Sequence, residues 1–289
     1  MNRVLPSVHQ AKKANRKDLP KPPKPLSLQW FGCTDRGKVR PNNEDAFLGL
    51  RFDAREVHRL GKLGEASVDT MDFAFAVSDG MGGEQAGEYA SRIAVEKITT
   101  LLPRAFQHSV GGLQAGFADV LTELFSQMHR ALVYLGQSYD ECRGMETTMS
   151  LCWFTPGKMY FGHIGDSRIY HLPARSKSIR QLTHDDTHVG WLFRNGQINE
   201  REAHTHPRRN ALQKALGGAN QFVDPQLGTV TFERGDLFLL CTDGLTDGLY
   251  DGQLVEILRS DDGLAQHLVE AAVSNSGRDN TTALVVKVV

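Results

Sequence analysis

Five aspartates in this chain stand where apolar runs end, and nearly all are followed by a turn-forming residue. They are Asp45 in Asn43-Glu44-Asp45, Asp79 in Ser78-Asp79-Gly80, Asp166 in Gly165-Asp166-Ser167, Asp243 in Thr242-Asp243-Gly244 and Asp279 in Arg278-Asp279-Asn280. Strands that end together set such carboxylates side by side. Clustered carboxylates repel unless a positive group sits among them. A hard divalent cation, Mg²⁺ or Mn²⁺, is the simplest such group because it prefers oxygen ligands. The pattern points to metal-assisted phosphate chemistry.

The remaining sequence fits a globular setting. The chain has 289 residues, 23% charged and 40% hydrophobic, enough for one large domain or two small ones. A net charge of −1 gives no overall field toward nucleic acid or a membrane. Apolar stretches such as Leu237 to Cys241 are far too short to span a bilayer. No apolar segment follows the basic residues near the N-terminus as a secretory signal requires. The four cysteines, Cys33, Cys142, Cys152 and Cys241, are scattered and form no Cys-x-x-Cys pair, so they read as thiols in a reducing compartment. The expected location is the cytoplasm.

Residues 1–26 stand apart. Arg3, Lys12, Lys13, Arg16, Lys17, Lys21 and Lys24 face one acid, Asp18, and four prolines close the segment. It reads as a basic tail ahead of a globular domain at 27–289. Strands are expected at Ser27 to Thr34, Ala46 to Phe52 and Met71 to Ser78, the last with Phe73, Phe75 and Val77 in alternation. Arg55 to Asp69 reads as a loop. Helical spacing covers Gln85 to Leu102 and Leu113 to Leu135, separated by Pro103 to Gly112. A hairpin turns at Pro156-Gly157, between Thr147 to Phe154 and Met159 to Ile164, and Arg168 to Leu172 continues it. His184 to Ala215 is a polar inserted lobe. Strands at Thr229 to Phe232, Asp236 to Cys241 and Thr282 to Val289, with helices at Gly252 to Arg259 and Leu264 to Ser274, complete the chain. Strand runs broken by helix pairs argue an α+β layered fold.

An Asp-Gly pair alone is only a turn signal. Three glycines around the Asp79 carboxylate, in Asp79-Gly80-Met81-Gly82-Gly83, let backbone approach a ligand closely. Asp243 sits at the mouth of a buried strand, an expensive position for an uncompensated charge. Taken in order, Arg40-Pro41-Asn42-Asn43-Glu44-Asp45, Ser78-Asp79-Gly80-Met81-Gly82-Gly83, Thr147-Thr148, Gly165-Asp166-Ser167-Arg168-Ile169-Tyr170, Leu182-Thr183, Ala215-Leu216-Gly217-Gly218, Asp243-Gly244-Leu245 and Asp279-Asn280-Thr281-Thr282 resemble the motif series of the metal-dependent protein phosphatases, the bacterial type 2C serine/threonine phosphatases.

The resemblance implies a four-layer α-β-β-α sandwich with two central antiparallel sheets and an inserted flap at about 185–209. It implies metal-dependent hydrolysis of phosphoserine and phosphothreonine in proteins by a metal-bridged water. Two Mg²⁺ or Mn²⁺ ions, with a weaker third, serve that reaction. By motif position Asp79 bridges two ions, Asp243 and Asp279 hold the first, and Asp45 (or Glu44) with the Gly80 carbonyl holds the second. Asp166 helps with the third. Arg40, near Glu44 and Asp45, suits a substrate phosphate because its planar fork matches two oxygens at once. Phosphoprotein substrates and an opposing serine/threonine kinase are the implied partners, with no nucleic acid and no membrane.

Three positions depart from the pattern. Glu146 replaces a glycine before Thr147-Thr148, Asp186 stands where a histidine is common, and Met81 stands where eukaryotic relatives carry a histidine proposed as general acid. The alternative reading is a catalytically inactive phosphoprotein-binding module of the same fold. A zinc site at His184, His188, His204 and His206 has a plausible spacing, but Asp185 stands where a zinc hydrolase helix carries its glutamate. No thiol-phosphatase loop, Asp-x-Asp-x-Thr or nucleotide-binding glycine loop occurs.

Overall fold

Alternation along the strands dictates two packed sheets. In the computed structural model, Phe73, Phe75 and Val77 join one buried cluster while Ala74 and Ala76 join another. Leu284 and Val286 likewise face away from Ala283 and Val285. A strand with both faces apolar must be covered on both sides. The structure describes residues 25–82, 86–110 (without side chains from 104), 116–218, 223–260 and 264–289. Residues 1–24 of the expected tail at 1–26, Gly83, and the expected helix starts at Gln85 and Leu113 lie outside the described residues.

In chain order the elements are β1 (Ser27–Asp35), β2 (Asp45–Phe52), β3 (Val57–Arg59), β4 (Leu63–Ser67), β5 (Asp72–Met81), α1 (Ala86–Val110), α2 (Phe117–Ser138), β6 (Glu146–Thr147), β7 (Met149–Thr155), β8 (Lys158–Ile164), β9 (Arg168–Leu172), β10 (Arg180–Gln181), α3 (His188–Arg194), α4 (Glu200–Thr205), β11 (Leu216–Gly217), β12 (Gln226–Thr231), β13 (Leu237–Cys241), α5 (Asp243–Gly248), α6 (Asp251–Leu258), α7 (Leu264–Asn275) and β14 (Thr281–Val288). One sheet runs β10-β9-β13-β14-β1-β4. The other runs β11-β6-β5-β7-β8-β12, with β2 on β5 and β3 on β2. Every pairing between these strands is antiparallel.

Three cores separate four layers. Ile98, Leu102, Leu124, Phe125 and Leu132 of α1 and α2 pack on Leu48, Ala76 and Leu151. Trp30, Phe75, Phe154, Phe238 and Val286 fill the space between the sheets. Leu245, Leu254 and Leu268 cover Leu239 and Val285. The α-β-β-α sandwich is therefore the observed fold.

Three local expectations are corrected. Residues 55–69 form strands β3 and β4, because their polar side chains are exposed on edge strands while the backbone still pairs with β2 and β1. Helix α1 continues through Pro103 to Val110 and tolerates one missing hydrogen bond. Asp243, expected at the mouth of a buried strand, also opens helix α5, an element not expected from the sequence. Cys152 and Cys241 are buried, Cys33 and Cys142 half-buried, and all four are free thiols. Among the described residues no helix is long and apolar enough to cross a membrane.

Candidate metal centre

Strand register builds the centre. Pairing of β2 with β5 places Asp45 opposite Asp79, so these side chains share one face of the sheet. The end of β5 is fixed by hydroxyls. Thr147 Oγ1 donates to the Asp79 carbonyl at 2.7 Å, the Asp79 N–H donates to Thr148 Oγ1 at 3.0 Å, and Thr148 and Ser167 share a hydroxyl bond of 2.6 Å. Gly80 is obligatory here, since a Cβ would lie 1.9 Å from the Gly87 carbonyl at the start of α1. The opposing sheet delivers Asp243 and Asp279. Gly244 packs so tightly on Asn280 that a Cβ would meet its carbonyl at 2.0 Å.

Asn280 ties the loops together. Its amide donates to the carbonyls of Arg36 at 2.9 Å and Asn42 at 2.8 Å, and its Oδ1 accepts from the Glu44 N–H at 2.8 Å. Its signal in the sequence is its place directly after Asp279. Thr242 and Thr282 both donate to Asp45 Oδ2, at 2.8 and 2.7 Å. Sequence reading did not single out these hydroxyls, and only their adjacency to Asp243 and Thr281 marks them.

A cavity of about 310 Å³ opens over this end of the sandwich, lined by Arg40, Glu44, Asp79, Gly80, Asp166, Asp243 and Asp279 among others. Of the candidate residues, Asp45 alone is not on its wall. Glu44 faces the cavity, and Asp45 lies behind it. Arg40 Nη2 donates to Asp279 Oδ2 at 2.7 Å, and its Nη1 stands 4.0 Å from Glu44 Oε2. Asn210 and Leu212, just beyond the expected flap, also line the wall.

The electrostatics are those of carboxylates buried close together. Burial, followed by the charges of Asp45, Asp243, Asp166 and Asp279, pushes the Asp79 carboxyl well above its ordinary range. Burial, then Asp166 and Asp279, does the same to Asp243. Burial raises Asp45 to about 7 against the hydroxyls of Thr282 and Thr242, and raises Asp166 to about 7, aided by Asp185. Asp45 Oδ1 and Asp243 Oδ1 are buried without a hydrogen-bond partner. Unpaired buried carboxylate oxygens are costly, and a shared cation removes the cost. Among the described residues no three His, Cys, Asp or Glu side chains already form a closed ion cage. The carboxylates line an open pocket, with Asp279 held by Arg40. The residues present fit hard divalent ions, because the donors facing the cavity are oxygens.

The flap residues do not build a second centre. His188 stacks with Trp191 and His204 with Tyr250, while His206 Nδ1 accepts from the Arg208 N–H at 3.1 Å. Bidentate pairs anchor the lobe to the core: Arg168 to Asp185 at 2.9 and 2.7 Å, and Arg209 to Asp247 at 3.1 and 2.8 Å. Asp186 has a structural reason for its place, since its Oδ2 accepts from the Gly165 N–H at 3.0 Å and steadies the Asp166 turn.

Comparison with known proteins decides the family, for the protein phosphatase 2C model matches residues 63–282. The chain belongs to the protein phosphatase 2C family. It is 33% identical over 270 residues to the serine/threonine protein phosphatase PstP of Mycobacterium tuberculosis, covering 91% of this chain and 46% of that protein. It therefore spans about half the length of that relative. It is 32% identical over 258 residues to the serine/threonine phosphatase stp of Listeria innocua, covering 88% of this chain and 93% of that one. The crystal structure of the PstP catalytic domain, in complex with two manganese ions, superposes with a TM-score of 0.70 at 31% identity, covering 91% of this chain and 99% of that one. Family members of this kind share the antiparallel sandwich and its flanking helices.

Proposed function

We propose that this chain hydrolyses phosphoserine and phosphothreonine in proteins, assisted by two divalent ions, Mg²⁺ or Mn²⁺. The observation that carries the reading is the convergence of carboxylates from distant stretches on one pocket, with two of their buried oxygens unpartnered. When bound, such ions acidify water and neutralise phosphoryl charge. Asp79, Asp243 and Asp279 would hold one ion. Asp79, Gly80 and Glu44 would hold the other, with Asp45 directly behind, and Asp166 borders a third position.

The described residues lining this pocket include no cysteine, serine, threonine or histidine, which supports an attacking group that is not a side chain. Water is the natural nucleophile. The carboxylates on the wall, Glu44, Asp79, Asp166, Asp243 and Asp279, can orient that water and receive its proton, with Asp45 held behind them by Thr242 and Thr282. Arg40 is half-exposed at the rim, where its fork can leave Asp279 for two phosphate oxygens. The segment at 185–209 acts as a flap on an independent domain at 27–289. An opposing serine/threonine kinase and a cytoplasmic setting complete the reading. An inactive binding module is less well supported, because every acid of the motif series is retained.

The direct test is release of p-nitrophenol from its phosphate ester. Release that requires Mn²⁺ and stops with chelator is expected, whereas no release in Mn²⁺ favours the binding module. Arg40→Ala should raise KM by about tenfold with little loss of fold, as a half-exposed charge-assisted contact implies. Unchanged kinetics would remove Arg40 from substrate binding.

A further inference from the structure

Glu146 has a setting that the phosphatase chemistry does not use. Strand β6 pairs it with Met81, a residue of the acidic pocket wall, and with Gly217 of β11. It does not line that pocket, and its side chain lies across Gly218, where a Cβ would sit 1.8 Å from Glu146 Oε1. There it forms one wall of a separate cavity of about 420 Å³, with Leu132, Val133, Gln137, Gly144 and Met145. Leu132 and Met145 are buried, so the cavity has an apolar side and one carboxylate. Among the described residues no donor or cation pairs with that carboxylate. Burial alone raises its carboxyl above the ordinary range, with no neighbouring charge acting on it.

An apolar shaft ending in a positive charge matches such a cavity. A lysine or arginine side chain has that form, with a methylene stem and a charged head. The neighbouring pocket takes the complementary part of the same ligand. Antiparallel partners lie about 5 Å apart, and an extended peptide advances roughly 3.3–3.6 Å per residue. Because Glu146 is the register partner of Met81 on the acidic pocket wall, the spacing to examine is a cationic side chain two to four residues from the phosphorylated one.

We propose that the Glu146 cavity receives a lysine or arginine side chain of the phosphoprotein substrate, and so selects substrates with a basic residue near the phosphoserine or phosphothreonine. This rests on the phosphatase reading above. The test compares wild type with Glu146→Gln, which keeps the shape and removes the charge. Substrates are phosphothreonine peptides with one arginine placed two, three or four residues to either side, against the all-alanine peptide, with p-nitrophenyl phosphate as a control.

The expected result is that wild type favours at least one arginine placement about fivefold in kcat/KM, chiefly through KM. Glu146→Gln flattens that preference and leaves p-nitrophenol release unchanged. Release of p-nitrophenol with no arginine preference in wild type, or an equal preference in both proteins, overturns the proposal alone. No release by wild type in Mn²⁺ overturns the phosphatase reading and this proposal with it.

Discussion

Asp243→Asn lowers kcat/KM by about a hundredfold or more, since loss of even an outer-shell partner of a metal site typically costs ten- to a hundredfold. The same change makes the chelator-treated protein more stable. Asp243 carries a buried, unpartnered oxygen, and Asp166, Asp279, Asp247 and Asp45 oppose its charge. An uncharged amide removes that repulsion and can donate to a neighbouring carboxylate. The chelator-treated variant therefore melts at a higher temperature than the chelator-treated wild type. Kinetics with Mn²⁺ and thermal melts with chelator read the two effects separately. Opposite movement of activity and stability is the mark of a site whose charges are held against the fold's own preference. Unchanged turnover in this variant would falsify the assignment of Asp243 to the metal centre.

Chelator-treated protein loses stability as pH rises from 5 to 8. The folded-state carboxyls of Asp45 and Asp166 are raised to about 7 from an ordinary 3.8. Between those values the folded chain retains protons that the unfolded chain has released. Stability from these groups is therefore complete below the unfolded value and is lost as pH passes through about 7. Each contributes on the order of 2–3 kcal/mol over that interval, and two together lower Tm by roughly 5–10 °C in a domain of this size. Added Mn²⁺ reverses the slope, because ions bind deprotonated carboxylates more tightly. Calorimetry at several pH values, with and without metal, checks both signs. A chelated Tm that stays level or climbs over this range removes the electrostatic basis of the centre.

The acids were legible in the sequence because each lies at or near one end of a strand, Asp45 and Asp279 where β2 and β14 begin and Asp79, Asp166 and Asp243 where β5, β8 and β13 finish, and apolar alternation bounded by turn residues marks such ends. The antiparallel hairpin at Pro156-Gly157 was legible for the same local reason, with Thr155 opposite Lys158 as its register. Other features depend on contacts remote in sequence. Glu44 and Asp45 are consecutive, and only the packing of β2 on β5 decides which of them faces the cavity. The hydroxyls that fix Asp45 come from the other sheet, from Thr242 just after β13 and Thr282 on β14. Arg209 finds Asp247 across a separation of 38 residues. Strands β3 and β4 have no apolar rhythm because they lie at sheet edges, and Pro103 hid the continuation of α1 because packing outweighed its local penalty.

The first and last strands meet beyond their own register. Ser27 and Val289 exchange two backbone hydrogen bonds of 2.8 Å. Strand β14 starts beside Asp279 and runs away from it, so this junction lies roughly 25 Å from the aspartates, at about 3.4 Å per residue. Cargo joined before Ser27 or after Val289 thus leaves from the pole opposite the chemistry. Two fused modules would be next-door neighbours there, and a flexible leash needs on the order of 25 residues to bring its own phosphorylated tip around to the reactive end.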